Sequence, residues 1–267
     1  MRALLLLACA ATTPVAAQSL REFSGTRQYK GEPRLAASID FAAGSLRLEP
    51  APPATLYALR ATYDDKQGEA PVPTLAYDRS GSVRMALAAR AATVQLSPRT
   101  DLDLALTLDA AEADLALGGL RLGSLALTAG ASRTTLRVAT PNPVRCSTAT
   151  LESGAAELEV IGLGNARCNR TTVRGGAGRV TLDFSGRWSG DLEVTAAMKM
   201  GGLVLRIPRG TGVRLVLDRF LAKVDAEGLA PDAERQVWTS PRFEAAPHRL
   251  RIAVESAVGG LRVEWID

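Results

Sequence analysis

Clusters of Gly, Ala and Ser recur along this chain, and after each cluster apolar residues alternate with other residues. Because successive side chains of a β-strand point to opposite faces, this alternation indicates strands with one buried face. Units that repeat at a nearly fixed period bury that face against their neighbours, so the repeat constrains the fold more than any other feature. The copies are Leu108–Leu117, Leu127–Val138, Leu151–Val160, Val173–Phe184 and Ala196–Ile207, and two outlying copies are Ile39–Leu48 and Val254–Val263.

One residue in each cluster can serve as an anchor for aligning the copies. The anchors Ala111, Gly130, Gly154, Gly176 and Lys199 are 19, 24, 22 and 23 residues apart. Three residues before the anchor, the aligned residues are Leu108, Leu127, Leu151, Val173 and Ala196. Six residues after it, they are Leu117, Leu136, Val160, Leu182 and Leu205. We expect both columns to point inward. The residue two after the anchor is always small, which predicts a bend; this column is Ala113, Ser132, Ala156, Gly178 and Gly201.

A period of about 22 residues, built from alternating segments, is typical of a β-solenoid. We therefore predict an all-β fold, a single-stack parallel β-solenoid of roughly 20–24-residue coils with antiparallel capping strands at both ends. Two outward columns accompany this prediction. Three residues after the anchor the charges alternate in sign, which predicts opposite charges on adjacent coils at Asp114, Arg133, Glu157 and Arg179. Four residues before the anchor, ordinary β-propensity explains a threonine column, which is Thr107, Thr150, Thr172 and Thr195 with Ala126 interrupting it.

Two cysteines occupy equivalent positions in adjacent copies of the repeat. Cys146 stands eight residues before Gly154, and Cys168 stands eight residues before Gly176. Equivalent positions on adjacent coils are about 4.8 Å apart, which is within the Cα separation that a disulfide tolerates. We predict a Cys146–Cys168 disulfide, which would stabilise the fold by roughly 3 kcal/mol in the chain-entropy model. Two free thiols are the alternative.

The amino terminus has the pattern of a secretory signal peptide. Arg2 supplies the positive charge, residues 3–11 form an apolar run, and Val15-Ala16-Ala17 fits the small-x-small cleavage rule. This predicts a signal peptide over residues 1–17 and export to the periplasm or the cell surface. Lipid anchoring at Cys9 is the less favoured alternative. No later stretch reaches the ~18 apolar residues of a spanning helix, so we expect no transmembrane segment in the mature chain.

The order of these segments resembles the toast-rack type of β-solenoid domain found in secreted and membrane-anchored bacterial proteins. It is also similar to the related C-terminal domain of cell-wall-active antibiotic-response proteins and to the putative-adhesin β-solenoid domains. In that comparison Leu35–Leu48 is similar to the opening hairpin, Leu56–Asp64 to the next strand, residues 74–96 to a meander, residues 99–108 to the lead-in, and residues 237–244 and 248–263 to the end strands. The resemblance covers nearly all of the mature chain and implies no enzymatic activity. The paired cysteines and the abundance of arginine depart from the family's pattern.

The predicted organisation is a signal peptide (residues 1–17), a flexible lead (18–34), an antiparallel N-terminal cap (35–100), the coils (101–216) and C-terminal closing strands (217–267). Residues 35–267 are expected to form one structural domain.

Few residues suit catalysis. The single histidine, His248, has no identifiable nucleophile or orienting acid, so we interpret it as a surface or cap residue. Asp101 and Asp103 share one strand face, but the spacing of a calcium loop is absent, and we interpret them as solvated. Aromatic residues make up only 4% of the chain, which argues against stacking-based nucleic-acid binding. We therefore predict no catalytic, cofactor or metal residues, no cofactor and no nucleic-acid partner.

Arginine is the remaining compositional signal. Arg145 and Arg167 each precede a cysteine, so we expect them to stack, and Arg170 and Arg174 lie close by. Like charges on adjacent strands are unfavourable without an anionic partner, and guanidinium groups suit phosphate or carboxylate. These four arginines form a candidate anion-binding site. A solvated edge is the alternative.

These observations together predict an exported, non-enzymatic scaffold or binding protein of the cell envelope. Its expected partner is an anionic envelope polymer, a lipid surface or an envelope protein. The alternative is an adhesin or self-assembling surface subunit. A polysaccharide-acting enzyme is a remote third possibility, because clustered acids are lacking.

Overall fold

The computed structural model describes residues 20–65, 72–218, 223–232 and 234–267, with the side chains of all of these except 256 and 257. The predicted signal peptide, Cys9 and the first two residues of the predicted lead lie outside the described residues. Within the described ranges the chain forms the strands β1 (Leu20–Gln28), β2 (Arg34–Pro50), β3 (Thr55–Asp64), β4 (Thr74–Asp78), β5 (Ser82–Leu87), β6 (Ala91–Leu96), β7 (Asp101–Ala116), β8 (Arg121–Ala129), β9 (Arg133–Arg137), β10 (Cys146–Ser153), β11 (Glu157–Ile161), β12 (Cys168–Asp183), β13 (Leu192–Pro208), β14 (Gly212–Asp218), β15 (Lys223–Asp225), β16 (Ala230–Asp232), β17 (Val237–Thr239) and β18 (Arg249–Ile266), with one short helix, α1 (Leu163–Ala166).

The strands form because the apolar residues alternate, as β7 illustrates. Leu102, Leu104, Leu106 and Leu108 are buried, whereas the residues between them are half-buried or exposed. Near the middle of the long strands this alternation is interrupted. In β2, for example, Ala42 and Ala43 are both exposed before burial resumes at Leu46. Each long strand therefore contributes one segment to each of two separate ladders.

Both ladders are parallel over most of their length. The first ladder runs in the order β5, β2, β7, β8, β10, β12, β13, β18 and β14. The second ladder runs in the order β6, β2, β7, β9, β11, β12, β13, β18 and β15. Antiparallel strands flank them, namely β4 beside β5, β3 and β1 beside β6, and β17 and β16 beside β14. The fold is all-β, with parallel pairing throughout its centre.

Antiparallel strands flank both ends as predicted, but β2 and β18, which were expected within the caps, lie inside the parallel ladders. Leu35–Leu48, expected as an opening hairpin, lies within β2, which pairs in parallel with β7 on one side and with β5 and β6 on the other. Likewise β18 lies between β13 and β14 instead of closing the stack. Both strands are central because their apolar residues, such as Ile39 and Ile252, need neighbours on both sides to be fully buried.

Residues 20–28 form a strand where a flexible lead was expected. β1 pairs antiparallel with β3 along its whole length. Phe23 packs against the core, and the guanidinium of Arg27 lies 4.0 Å from the centre of the Tyr77 ring. These contacts fix a segment whose polar composition alone suggested disorder.

The predicted inward columns are confirmed from the second copy of the repeat onward. Leu127, Leu151, Val173 and Ala196 stand opposite one another in successive strands, and so do Leu136, Val160, Leu182 and Leu205. The alignment of the first copy is wrong by two residues. Leu106, not Leu108, lies opposite Leu127, so the spacing is 127 − 106 = 21 residues. A two-residue slip keeps every side chain on its own face, and alternation alone cannot detect it.

The predicted Cys146–Cys168 disulfide is confirmed. The two cysteines are register partners on β10 and β12, their Cα atoms are 4.2 Å apart, and both side chains are buried. The bond covalently joins two adjacent turns of the chain.

The column of small residues at the bend is also confirmed for its later members. Gly178 and Gly201 are register partners, and Gly259 continues the column in β18. All three have positive φ, at 140°, 140° and 152°. A Cβ atom on Gly201 would lie 2.1 Å from the carbonyl oxygen of Gly178, so the bend brings adjacent backbones too close for any side chain.

Asparagine side chains bind the loops that connect one turn to the next. The Asn142 side chain accepts a hydrogen bond from the Leu122 amide (3.1 Å) and donates to the Leu122 carbonyl (2.8 Å) and the Ala166 carbonyl (3.1 Å). One turn further, Asn165 donates to the Val138 carbonyl (2.8 Å) and accepts from the Arg187 amide (2.7 Å). Both asparagines are buried, so they satisfy loop backbone groups that water does not reach.

Candidate functional site

Two of the four predicted anion-binding arginines are already engaged within the protein. Arg167 is half-buried with a left-handed backbone (φ 56°), and its guanidinium donates to the Asn142 carbonyl at 3.0 Å. Arg174 donates to Glu152 on the neighbouring strand at 2.7 Å. Arg145 and Arg170 are exposed, and their side chains make no hydrogen bond or ion pair to the residues that the structure describes. The structure therefore divides the predicted set into an engaged pair and a free pair.

The free pair lies beside the disulfide, on adjacent turns. Arg145 immediately precedes Cys146, and Arg170 lies two residues after Cys168, opposite Thr148. Glu193, one position before the Thr171–Val194 pair, is the nearest acidic neighbour on β13, and it forms no ion pair with Arg170. Both guanidinium groups are thus available to an external anion.

Most other charges on the outward faces pair across strands. On the second ladder Glu157 lies between Arg133 and Arg179, at 3.2 Å and 3.6 Å. This confirms the alternation of sign for these three residues. Asp114 is displaced by the two-residue slip: Glu112 stands opposite Arg133, and Asp114 pairs with Arg137. Exposed pairs of this kind contribute less than about 1 kcal/mol each, so their main effect is on register and on the surface potential.

The same slip shortens the predicted threonine column. Thr150, Thr172 and Thr195 are successive register partners, whereas Thr107 lies opposite Thr128 and outside the column.

A shallow groove of about 680 Å³ crosses the outward face of the second ladder. Its floor includes Gly202 and Gly260, which are register partners and present no side chain. A Cβ atom on Gly202 would meet nothing within 4 Å. Arg179 borders this gap on one side and Lys223 on the other. The groove is therefore an open interruption in an otherwise charged column.

Arg206 also lines this groove, and two carboxylates bind its guanidinium. Its guanidinium donates to Glu159 at 2.7 Å and to Glu264 at 3.2 Å. The hydrogen bond to Glu159 has the larger effect and the one to Glu264 the next. Together they raise the pKa of Arg206, although partial burial acts to lower it. The charge is permanent and already neutralised, so Arg206 ties three strands together and is not free for a ligand.

The residues considered for catalysis contact other side chains of the protein. The His248 ring stacks on Trp188, with 5.9 Å between ring centres, and the Trp188 indole donates to the Phe184 carbonyl. Asp101 pairs with Arg121 at 2.8 Å, and Asp103 accepts from Ser124 at 2.7 Å. Among the described residues, no group of three or more His, Cys, Asp and Glu is placed to hold a metal ion. In the same part of the chain no helix has the length and apolar character needed to cross a membrane.

Asp191 links the start of β13 to β18. Its carboxylate accepts from the Arg249 side chain at 2.9 Å, the Arg249 amide at 3.1 Å and the Arg251 side chain at 3.1 Å. Burial acts to raise the pKa of Asp191, but the hydrogen bonds and charges of Arg251 and Arg249 outweigh it, and the pKa is lowered.

We expect Asp191→Asn to lower the free energy of unfolding at neutral pH by about 1 kcal/mol, because a carboxylate–arginine bridge is lost. The lowered pKa contributes stability that is present above the unfolded pKa of about 3.9 and disappears as the pH falls through the folded value. Urea unfolding at several pH values should therefore show the two proteins converging in acid. A difference that stays constant down to acid pH would contradict this account.

The glycine gap was not identified from the sequence, although a signal for it was present. The column three residues after the anchor carries charge at Arg133, Glu157 and Arg179, and changes to glycine at Gly202. The outlying copy in β18 repeats the change at Gly260. The break becomes a groove only when β18 is known to lie beside β13.

Comparison with known proteins finds similarity only at the level of structure. No family model matches this chain, and no curated protein matches it. A "putative cell adhesion protein" from Clostridium sporogenes is 12% identical, with a TM-score of 0.46, and the match covers 93% of this chain and 100% of that chain. A "putative adhesin" from Parabacteroides merdae is 7% identical, with a TM-score of 0.41 and coverage of 94% and 98%. A "putative adhesin" from Bacteroides fragilis is 11% identical, with a TM-score of 0.38 and coverage of 91% and 97%. The titles of these structures agree with the resemblance identified from the repeats.

Proposed function

We propose that this chain is an exported, non-enzymatic binding protein of the cell envelope that recognises an anionic component. In this proposal residues 1–17 are a signal peptide, and residues 35–267, together with the paired strand β1, form one structural domain, a single-stack parallel β-solenoid. The observation that supports it best is the pair Arg145 and Arg170. Both are exposed and free of acidic partners among the described residues, whereas many outward arginines of the ladders are paired with carboxylates.

The physical argument is one of charge balance. The chain carries 32 Lys and Arg against 28 Asp and Glu, so its small positive excess can be concentrated where acidic partners are absent. Arginine forks bind phosphate or carboxylate through two parallel hydrogen bonds. The disulfide between the two turns holds the backbone beside both arginines, so binding an anion requires little ordering of the protein.

Co-sedimentation of the protein with isolated cell envelopes tests this proposal. We expect binding at low salt that weakens strongly at high salt, because exposed charges are screened beyond about 10 Å at 0.1 M ionic strength. Binding that is indifferent to salt, or no binding at either salt, would contradict recognition of an anion.

A second candidate is an adhesin or self-assembling surface subunit, the class to which the titles of the similar structures refer. The observation that favours it is the outer edge of β1, nine residues long, since among the described residues β1 has register partners only in β3. Long unpaired edges are templates for pairing between chains. Light scattering over a range of concentrations distinguishes the candidates, because only self-assembly predicts a mass that grows with concentration.

A further inference from the structure

An exposed apolar ridge follows the bend between the two ladders. Its two largest side chains, Met200 and Val258, are register partners and remain 58% and 56% exposed. The ridge continues along the bend as Ala177 opposite Met200 and, further along the stack, as Ala43 opposite Ala110, all of them exposed. Contiguous exposed apolar surface, unlike single exposed side chains, can mark a contact site.

Basic residues flank this ridge. Lys199 directly precedes Met200, and Lys223 lies opposite Gly260, two residues beyond Val258. Neither lysine side chain forms a hydrogen bond or ion pair with any residue in the described ranges. Arg179 stands two residues beyond Ala177 and is 66% exposed, although it shares Glu157 with Arg133 at 3.6 Å.

Acidic residues near this end of the molecule lie on both sides of the bend. Asp218 and Glu255 are register partners on the first ladder. On the second ladder, Asp225 is paired with Arg262 at 3.4 Å. Lys199 precedes Met200 and Lys223 lies beyond Val258, so a cation without an acidic partner among the described residues stands on each side of the ridge.

We infer that the ridge of Met200 and Val258, with Lys199, Lys223 and Arg179 beside it, is a docking surface for an anionic lipid membrane. An outward bend meets a flat surface along a line, so these two side chains can enter the headgroup region together while the cations contact lipid phosphates. Apolar insertion and attraction to anionic lipid are the two contributions to interfacial membrane binding.

This inference names one anionic partner within the proposed function and uses residues other than Arg145 and Arg170. A polymer bound by those two arginines would still be compatible with the proposed function if the lipid inference failed. The two ideas therefore require separate measurements.

Vesicle co-sedimentation at low salt tests the inference. The probes are neutral phosphatidylcholine vesicles and vesicles in which one third of the lipid is phosphatidylglycerol. We expect binding to the anionic vesicles, little binding to the neutral ones, and about tenfold weaker binding for Met200→Ser/Val258→Ser. The matched control is Val72→Ser/Val216→Ser, which removes two exposed valines away from the ridge and should bind as the unaltered protein does.

A gain of binding separates lipid contact from misfolding. Val258→Trp should strengthen binding to the anionic vesicles, because tryptophan favours the membrane interface. Failure of the unaltered protein to bind these vesicles would overturn the inference while leaving envelope binding, and with it the proposed function, intact. Equal binding by Met200→Ser/Val258→Ser and the unaltered protein would overturn it as well.

Discussion

Replacement of Gly201 by alanine is expected to lower the free energy of unfolding by about 3–4 kcal/mol. Gly201 has φ of 140°, where residues with a side chain are strained, and it is the middle member of the column formed with Gly178 and Gly259. An added Cβ would lie 2.1 Å from the Gly178 carbonyl oxygen. That obstacle is backbone within a ladder, so neither strand can yield without losing its hydrogen bonds. Urea unfolding followed by circular dichroism measures the effect.

The neighbouring glycine provides a matched control for this substitution. A Cβ on Gly202 would meet nothing within 4 Å, so Gly202→Ala should change the unfolding midpoint little. Equal stabilities for Gly201→Ala and Gly202→Ala would contradict the close approach of the Gly178 and Gly201 backbones at the bend.

Replacement of Asn142 by alanine is expected to cost about 3 kcal/mol, because buried backbone groups are left without partners. The amide and carbonyl of Leu122 both bond to the Asn142 side chain, and Ala166 on the next turn accepts a third bond. Asn142 is 1% exposed, so water cannot replace these contacts. The substitution should also speed hydrogen exchange at the Leu122 amide, which separates loss of this bond from a general loosening.

Asn169→Ala is the control for Asn142→Ala. Asn169 is exposed and makes no hydrogen bond to the described residues, so its loss should be close to neutral. An Asn142→Ala protein as stable as Asn169→Ala would contradict the role of the buried asparagine.

Local alternation and small residues predicted much of the fold. The inward columns through Leu151 and Leu182 could be derived because alternation fixes which face of a strand is buried. The Cys146–Cys168 pair could be derived because the two cysteines occupy the same position in adjacent copies of the repeat. The alignment of the copy that contains Ala111 could not be derived, because a slip of two residues preserves the alternation of buried and exposed side chains. The central positions of β2 and β18 could not be derived either. Both strands lie between strands that are not their neighbours in sequence, so the order along the chain does not give the order in the ladders.

The direction and length of the arginine side chains limited the prediction of the anion-binding site. Arg167 follows the same pattern as Arg145 in the sequence, yet a left-handed backbone turns it towards the Asn142 carbonyl. Arg174 was grouped with the free cations although the repeat alignment that pairs Cys146 with Cys168 also places Glu152 opposite it. Arg206 and Glu159 are 47 residues apart and meet only across an intervening strand. For Arg167 and Arg206, distinguishing paired from free cations therefore required the structure.

The most direct test of the account compares two double variants in the envelope co-sedimentation experiment. Arg145→Ser/Arg170→Ser removes the free pair beside the disulfide. Arg60→Ser/Arg84→Ser removes the same charge from two exposed arginines near the other end of the stack. We predict that the first variant loses most of the salt-sensitive binding and that the second retains it. Equal loss in both variants would show that only net charge matters, and full binding by the first would contradict recognition through Arg145 and Arg170.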